Sequence, residues 1–130
     1  VHGDYHPKNI IIDDGRSQDI SPLFVSVIDF DSAFLCYPAF DVGYFISQFR
    51  HQFRLFPALL KNCREEDFLR AYLADAVDPS PDFSRQAALA RLRANMSIAS
   101  FLIKVGKGIG EEMDGLIGES RELLKRLPRT

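Results

Sequence analysis

The chain is 130 residues long, which fits one domain that buries a real core. Its 46% hydrophobic and 26% charged residues are typical of a soluble globular protein, and no apolar run approaches the roughly 20 residues of a membrane helix. The formal net charge of −2 is unevenly spread, because residues 1–45 carry seven aspartates against Lys8 and Arg16. This distribution offers no basic patch for nucleic acid and suits a hard cation such as Mg²⁺.

The N-terminal third reads as short strands and loops. The segments NIIID (residues 9–13) and LFVSVIDF (residues 23–30) are β-branched and apolar, as half-buried strands are. Between them lies DDGRSQDISP (residues 13–22), which is rich in turn formers. The pattern predicts a hairpin-like pair of strands.

From Pro38 the period of the sequence changes to that of helices. A first helix is expected to begin near Pro38 and to end before Pro57, because apolar and aromatic residues recur there at helical spacing. In a second helix, Asn62 and Glu65 resemble a capping box. Its inward face is expected to comprise Phe68, Leu69, Tyr72, Leu73 and Ala76.

A third and a fourth helix complete the chain. Ser80 and Pro81 suit the N-cap and first position of the third, which we expect to be central, with Arg85, Arg91 and Arg93 on a solvated face. Its core face is expected to comprise Leu89, Leu92, Met96, Ala99 and Ile103. Glycines at 106–110 end this helix rather than cradle a phosphate, because the segment follows a helix and the dinucleotide pattern fails at Glu111. A last helix is predicted over residues 111–127, with Met113, Leu116, Ile117, Leu123, Leu124 and Leu127 facing inward.

The fold class that follows is α+β and mainly helical, with a small β-hairpin near the N-terminus. Cys36 and Cys63 are too few for a secreted disulfide framework, and no charged segment followed by an apolar one marks a signal peptide. We therefore expect a cytoplasmic protein. The first residue is Val rather than Met, which indicates a processed or truncated product.

The residues best suited to catalysis or metal binding lie at the ends of the two strands. Asp4 and Asn9 lie on a loop that leads into the first strand, and Asp29 ends the second. Phosphoryl transfer requires a carboxylate that deprotonates an acceptor hydroxyl, with an amide and further carboxylates that hold Mg²⁺ against the nucleotide phosphates. Each residue alone would be read as a turn or strand cap, but their combination favours phosphoryl transfer.

The segments HGDYHPKNIII and VIDFDSAFLCYPAFDVG resemble the catalytic and metal-binding motifs of the aminoglycoside phosphotransferase and choline kinase superfamily. The match covers roughly the first 45 residues. This resemblance implies a protein-kinase-like fold with ATP as co-substrate and a small-molecule hydroxyl acceptor. It also implies that Asp4 is the catalytic base, that Asn9, Asp29 and Asp31 bind Mg²⁺, and that His2 and Asp41 support the site.

The same resemblance implies a domain organisation. Residues 1–130 would form the C-terminal lobe of a small-molecule kinase, with the catalytic loop and hairpin in residues 1–37 and the acceptor-binding helices in residues 38–130. We expect the N-terminal ATP-binding lobe, with its glycine-rich strand and lysine, to be absent from these 130 residues. The chain alone is then expected to be inactive and to self-associate through exposed apolar surface.

Two alternatives stay open at this point. The chain could be a catalytically inactive remnant or interaction module that keeps the same fold. Alternatively, His2, Asp4 and His6 have the look of a metal-hydrolase cluster, in which imidazoles and a carboxylate bind Zn²⁺, Mn²⁺ or Fe in a phosphoesterase. His51 is the one other histidine, and we interpret it as a helix-surface residue.

Overall fold

The structure, a computed structural model, describes residues 1–13, 24–76 and 80–127. These residues form a mainly helical protein with one small antiparallel sheet, which confirms the predicted α+β class. In chain order, the strands and helices are β1 (Ile10–Asp13), β2 (Phe24–Val27), α1 (Ala39–Gln52), α2 (Pro57–Asn62), α3 (Glu65–Asp75), α4 (Phe83–Lys104) and α5 (Glu111–Arg126). No helix in the described ranges is both long and apolar enough to cross a membrane.

The two strands pair as predicted. Ile10 lies opposite Val27 and Asp13 opposite Phe24 in an antiparallel register. One further hydrogen bond, from the Ile28 amide to the Asn9 carbonyl (3.0 Å), extends the ladder beyond β1. Most of the predicted turn lies in residues 14–23, outside the described residues. Antiparallel pairing puts the residue before β1 and the residues after β2 at the same end of the hairpin.

The core is built around the contact of α1 with α4. Gly43 on α1 lies so close to α4 that an added Cβ would stand 2.1 Å from the carbonyl oxygen of Ala87 and 2.8 Å from the Cβ of Ala90. Ala87, Ala90 and Ala94 are all buried. Small residues on both helices therefore permit this close packing, which larger side chains would prevent.

The predicted core face of α4 is wrong at three of its five positions, although Ala99 does pack against buried residues of α4 and α5. Leu89, Met96 and Ile103, expected inside, are 48%, 74% and 64% exposed. The buried face instead runs through Phe83, Ala87, Ala90, Arg91, Ala94, Asn95, Ile98 and Leu102. The prediction followed the largest apolar side chains, whereas the close contact with α1 selects the small ones. The central place of α4, packed against both α1 and α5, is as expected.

Two apolar clusters hold the helices together. One joins α1, α3 and the start of α4 through Ala39, Val42, Ile46, Phe83 and Ala87, with Phe68, Leu69 and Tyr72 packed against it. The other joins the end of α4 to α5 through Ile98, Leu102, Met113 and Leu116. Of the residues predicted to face inward on α5, Met113, Leu116 and Leu123 are buried, whereas Ile117 and Leu124 are exposed.

Arg91 is buried, which corrects its predicted place on a solvated face. Its guanidinium bridges Glu65 on α3 through Nη1 and Glu119 on α5 through Nη2, the latter at 2.5 Å. The Arg91 side chain is only 7% exposed, and its Nε atom has no hydrogen-bond partner among the described residues. Arg91 therefore links three helices through charge rather than through apolar contact.

The helix ends follow the sequence pattern only in part. The capping box at Asn62 and Glu65 is wrong, because Asn62 ends α2 and α3 begins at Glu65 without a side-chain cap. The start of α4 also differs: Asp82 occupies the N-cap position, and the Ser80 hydroxyl accepts a hydrogen bond from the Asp82 amide (3.2 Å). The helix therefore begins two residues later than predicted, after a turn that is closed by a hydrogen bond from the Phe83 amide to the Ser80 carbonyl (2.9 Å).

The glycine segment ends α4 as predicted. Gly106 has φ = 76°, in the left-handed region that favours glycine. The Gly106 amide donates to the carbonyl of Ile103 (3.1 Å), and the Lys107 amide donates to that of Leu102 (2.7 Å). These two bonds form a Schellman motif, which satisfies carbonyls at the end of the helix.

Candidate functional site

The loop at residues 2–4 is fixed to the first turn of α1 by Asp41. The carboxylate of Asp41 accepts hydrogen bonds from the amides of His2 (2.7 Å) and Gly3 (3.0 Å). Charge-assisted bonds of this kind are stronger than neutral ones, and an anion is also favourable in the first turn of a helix. Asp41 thus holds the backbone of the loop in place from 38 residues further along the chain.

Glycine is required at position 3 for two reasons. Its φ of 84° is rarely adopted by residues with a side chain, and a Cβ there would stand 2.2 Å from the carbonyl oxygen of Ser32. The loop therefore passes directly against the backbone of the segment that follows β2. This contact brings Asp4 into the neighbourhood of the residues after β2.

The His2 ring ties the loop to the end of β2. Its Nε2 atom bonds the carbonyl of Ile28 (2.8 Å), while Nδ1 accepts from the amide of Asp4 (3.3 Å). These partners assign the proton to Nε2, since a carbonyl only accepts and an amide only donates. Both ring nitrogens are engaged, so His2 is not free to bind a metal ion as the phosphoesterase alternative requires.

Asp4 is held by its backbone and leaves its carboxylate partly open. Its carbonyl accepts from the Asn9 amide group (Nδ2, 3.1 Å), and its amide donates to His2. The carboxylate oxygen Oδ2 lies 3.5 Å from Nε2 of His6. About a third of the Asp4 side chain (36%) is exposed, which leaves room for another molecule to reach it.

Asn9, Asp29 and Asp31 lie at one end of the hairpin. Asn9 is buried, and the donation from its Nδ2 to Asp4 leaves Oδ1 as the amide atom that can bind a cation. Asp29 directly follows Ile28, the partner of Asn9 in the ladder, and Asp31 lies in the short 3-10 turn Phe30–Ser32. The structure thus brings Asp4, Asn9 and the start of this turn together. That the carboxyl groups of Asp4 and Asp29 converge stays a prediction.

Asp29 adopts an unusual backbone conformation. Its φ of 66° and ψ of 63° lie in the left-handed region, and it is the one residue other than glycine with positive φ in the described ranges. Aspartate tolerates this region better than most residues, but such conformations still cost free energy and often occur at functional sites. The conformation turns the chain out of β2 directly after Ile28, and the side chain of Asp29 is exposed.

The donor chemistry of this cluster fits Mg²⁺. No group of three or more His, Cys, Asp or Glu side chains is arranged to hold a metal ion within residues 1–13, 24–76 and 80–127. Asn9, Asp29 and Asp31 instead offer one amide and two carboxylates, all of them oxygen ligands. Mg²⁺ prefers oxygen ligands and keeps several of its waters, so it does not need a complete cage of protein ligands.

Tyr44 is a site residue that sequence reasoning missed. Burial raises the pKa of its hydroxyl, and the negative charge of Asp4 raises it further. From the sequence, Tyr44 is one of several aromatic residues at helical spacing after Pro38 and has no distinguishing feature. Forty residues separate it from Asp4, so only the packing of α1 against the loop reveals their proximity.

An aromatic cavity of about 440 Å³ lies between α1, α2 and α3, next to the loop. Phe45, Phe49 and Phe68 line it, and the ring of Phe45 contacts Tyr5 with centroids 5.3 Å apart. Glu65, Glu66 and Asp67 also border the cavity. Glu65 is paired with Arg91, and Asp67 is paired with Arg64, so part of this acidic charge is already neutralised.

His51 is less exposed than a helix-surface residue would be. Its Nε2 lies 3.5 Å from Oε1 of Glu112 on α5, and the same oxygen lies 2.9 Å from Nη2 of Arg54. Burial lowers the pKa of His51, the charge of Arg54 lowers it further, and Glu112 opposes both. This cluster joins the end of α1 to α5, away from Asp4.

In a comparison with protein-family models, residues 1–89 match the model of the phosphotransferase enzyme family. The matched range is more than half of the chain and contains Asp4, Asn9, Asp29, Asp31 and Tyr44. A search of curated proteins and a search of solved structures gave no match.

Proposed function

Because this chain belongs to the phosphotransferase enzyme family, within the aminoglycoside phosphotransferase and choline kinase superfamily, we propose that it is the catalytic lobe of a small-molecule kinase. The reaction is transfer of the γ-phosphoryl group of ATP to a hydroxyl group of a small acceptor in the cytoplasm. In the proposed kinase-like lobe, residues 1–37 carry the catalytic loop and hairpin, and residues 38–130 form the acceptor-binding helices. The observation that supports this best is the hydrogen bond from Asn9 to Asp4 at the open end of the hairpin.

Asp4 is the proposed catalytic base. Its partly exposed carboxylate orients the acceptor hydroxyl and accepts its proton while the hydroxyl oxygen bonds to the γ-phosphorus. The bond from that phosphorus to the bridging oxygen breaks, and ADP leaves. The hydrogen bonds from the Asp4 amide to His2 and from Asn9 to the Asp4 carbonyl fix the position of the Asp4 backbone, from which the carboxylate extends. Such positioning is the main contribution that a protein makes to phosphoryl transfer.

Asn9, Asp29 and Asp31 are the proposed ligands of Mg²⁺. When bound, the ion would neutralise the charge of the nucleotide phosphates. Asn9 offers Oδ1, and the left-handed backbone of Asp29 presents its carboxylate at the same end of the hairpin. His2 and Asp41 act on the backbone of the loop and support the site without touching substrate.

We further propose that these 130 residues bind Mg-ATP only weakly by themselves. Asp4, Asp29 and Asp31 make the site anionic, and a free nucleotide is anionic too, so binding requires cationic and backbone groups that face the phosphates. Mg²⁺ held by a few exposed oxygens is largely hydrated and adds little affinity.

The test is a phosphotransfer assay with labelled ATP, Mg²⁺ and a panel of small alcohols, amino alcohols and sugars. The chain is assayed as it stands and, where its gene encodes residues upstream of Val1, also in the form extended by them. Asp4→Asn should reduce turnover about 10²–10⁴-fold, because that is the contribution of a general base. Asp114→Asn, at an exposed position on α5, is the matched control and should leave turnover unchanged. Equal turnover in both variants would contradict the proposal.

A further inference from the structure

The ring of His6 is held in one orientation by the short 3-10 turn that follows it. That turn is Pro7–Asn9, and the carbonyl of His6 accepts a hydrogen bond from the Asn9 amide (2.9 Å). Pro7 has no amide hydrogen, so the amide of Lys8 is the first in the turn that needs an acceptor. It donates to Nδ1 of His6 (3.2 Å), and the imidazole thereby caps the turn. The backbone and the ring of His6 are therefore fixed by the same turn.

The hydrogen bond to Nδ1 determines which ring nitrogen of His6 carries the proton. An amide only donates, so Nδ1 of the neutral ring is the accepting nitrogen and the single N–H lies on Nε2. Nε2 is the atom that faces Asp4, 3.5 Å from Oδ2. Neutral His6 therefore has no lone pair left for the proton of an acceptor hydroxyl, and it presents a donor to the carboxylate instead.

The distance between Nε2 and Oδ2 puts the His6 donor within reach of Asp4 before substrate binds. Formed N–H···O bonds are about 2.7–3.2 Å long, and catalytic hydrogen bonds are often longer in the free protein and shorten in the complex. The His6 side chain is 17% exposed, so water competes little for its N–H. The backbone of Asp4 is already held by His2 and Asn9. Rotation of the carboxylate is then the main freedom that Asp4 retains.

We propose that His6 is a positioning residue, whose Nε2–H engages Oδ2 of Asp4 and leaves Oδ1 to face the acceptor hydroxyl. This inference rests on the proposed phosphotransfer role of Asp4. An aspartate carboxylate rotates easily about its terminal bond, so a fixed donor beside one oxygen limits which edge can face the acceptor. His6 acts on the acceptor only through Asp4.

The first measurement does not need activity. Two-bond ¹H–¹⁵N NMR spectra distinguish the two ring nitrogens of a histidine, and they are recorded at about pH 8.5, where imidazole rings are neutral. The proton of His6 should lie on Nε2. Asp4→Ala should shift the Nε2 signal and leave the Nδ1 signal, which depends on the Lys8 amide, in place. The ring of His2 is the internal control, because the variant keeps both of its partners, the Ile28 carbonyl and the amide of residue 4.

Two results would overturn the proposal, whether or not the protein is a kinase: a proton on Nδ1 of His6, or an Nε2 signal that Asp4→Ala leaves unchanged. If the His2 signals show that Asp4→Ala disrupts the loop, Asp4→Asn takes its place, because it keeps the size of the side chain and removes the charge. A shift of the His6 Nε2 signal in that variant supports the proposal, and no shift overturns it.

The second measurement separates the two contacts of the ring, in the form of the protein that phosphorylates an acceptor. His6→Asn keeps an oxygen that reaches about as far as Nδ1 and can cap the turn, but it has no donor at the position of Nε2. His6→Gln keeps an amide donor that reaches about as far as Nε2. We expect His6→Asn to lower kcat about 3–10-fold with unchanged KM values, because one net hydrogen bond to the base is lost. His6→Gln should keep most of kcat.

The order of the two kcat values tests the positioning role. A higher kcat for His6→Gln than for His6→Asn supports it. Equal values, the reverse order, or a rise in KM alone for His6→Asn would overturn it, since the ring would then act only as a cap. His51→Asn, away from Asp4 at the contact with Glu112, is the matched control and should leave kcat unchanged. If no acceptor is phosphorylated, the proposed function fails, while the NMR result still decides whether His6 engages Asp4.

Discussion

Two regions of the molecule are stabilised in different ways: the hairpin with its loops, and the helical part. In the first, His2, Gly3 and Asp4 are fixed by hydrogen bonds, while Ile12, Phe24 and other large apolar side chains stay exposed. In the second, α1 and α4 bury small residues in close contact, and two apolar clusters join the remaining helices. The site is therefore positioned by directional hydrogen bonds, while stability comes from packing in the helices.

The largest expected effect on stability comes from the charged centre of the helical part. Arg91→Ala leaves Glu65 without its partner and Glu119 with only Arg50, whose Nε lies 3.8 Å from Oε2, and breaking a buried ion pair costs several kcal/mol. Because both glutamates are partly exposed, we expect a loss of about 2–3 kcal/mol in the free energy of unfolding, measured by urea denaturation. Arg85→Ala on the exposed side of α4 is the control, and an equal loss there would remove Arg91 from this account.

Gly43→Ala tests the close contact of α1 with α4 directly. An added methyl group would meet the backbone carbonyl of Ala87, which cannot move aside as a flexible side chain can. We expect a loss of about 1–3 kcal/mol, the usual cost of overpacking a core. Gly115→Ala on α5, where a Cβ would meet nothing within 4 Å, should instead be neutral or stabilising. Similar thermal midpoints for the two variants would contradict the packing argument.

Gly3→Ala should separate the two regions. The substitution strains a backbone at φ = 84° and places a methyl group against Ser32, so we expect a loss of about 1–2 kcal/mol. The damage should stay in the loop and hairpin. In a comparison of ¹H–¹⁵N NMR spectra, the amides of residues 2–13 should shift, while those of α5 keep their positions. Widespread changes in the amide signals of α5 would show that the structure of the helical part depends on that of the loop and hairpin.

Exposed apolar residues on α4 should matter much less for stability than its buried residues. Met96→Gln is expected to change the free energy of unfolding by less than about 0.5 kcal/mol, because Met96 is 74% exposed. Ala94→Leu, on the buried face two residues earlier, should cost more than 1 kcal/mol through overpacking, about as much as other such insertions do. Both losses are measured by urea denaturation. A larger loss for Met96→Gln than for Ala94→Leu would contradict the buried face described above and would support the face predicted from the sequence.

The smallest expected effect is a pH dependence at the α1–α5 contact. The pKa of His51 is lower in the folded state than in the unfolded chain, so the unfolded state binds more protons as the pH falls. The stability that neutral His51 contributes is present above about pH 6.5 and is lost progressively below it. His51→Gln should flatten the dependence of stability between about pH 7 and pH 5, as followed by thermal unfolding. An unchanged slope would exclude His51 as its source.

The sequence predicted those features that depend on neighbouring residues. The hairpin follows from two β-branched segments with a turn between them, and its antiparallel pairing puts Asn9 and Asp29 at one end. Gly106 ends α4 because its position requires a left-handed backbone. Features that depend on distant residues could not be predicted: the proximity of Tyr44 to Asp4, the burial of Arg91 and the alanine face of α4 all arise from how the helices pack.

The central claim is that Asn9, Asp29 and Asp31 bind a divalent cation beside Asp4. Mn²⁺ shares the preference of Mg²⁺ for oxygen ligands and broadens the NMR signals of nearby nuclei, so it can be titrated in place of Mg²⁺ with ATP present. The amide signals of residues 4, 9, 29 and 31 should broaden first, and Asp29→Ala should abolish this selectivity while Asp114→Asn keeps it. Broadening centred on another acidic group, such as Glu111 and Glu112 on α5, or spread evenly over the surface, would contradict the account.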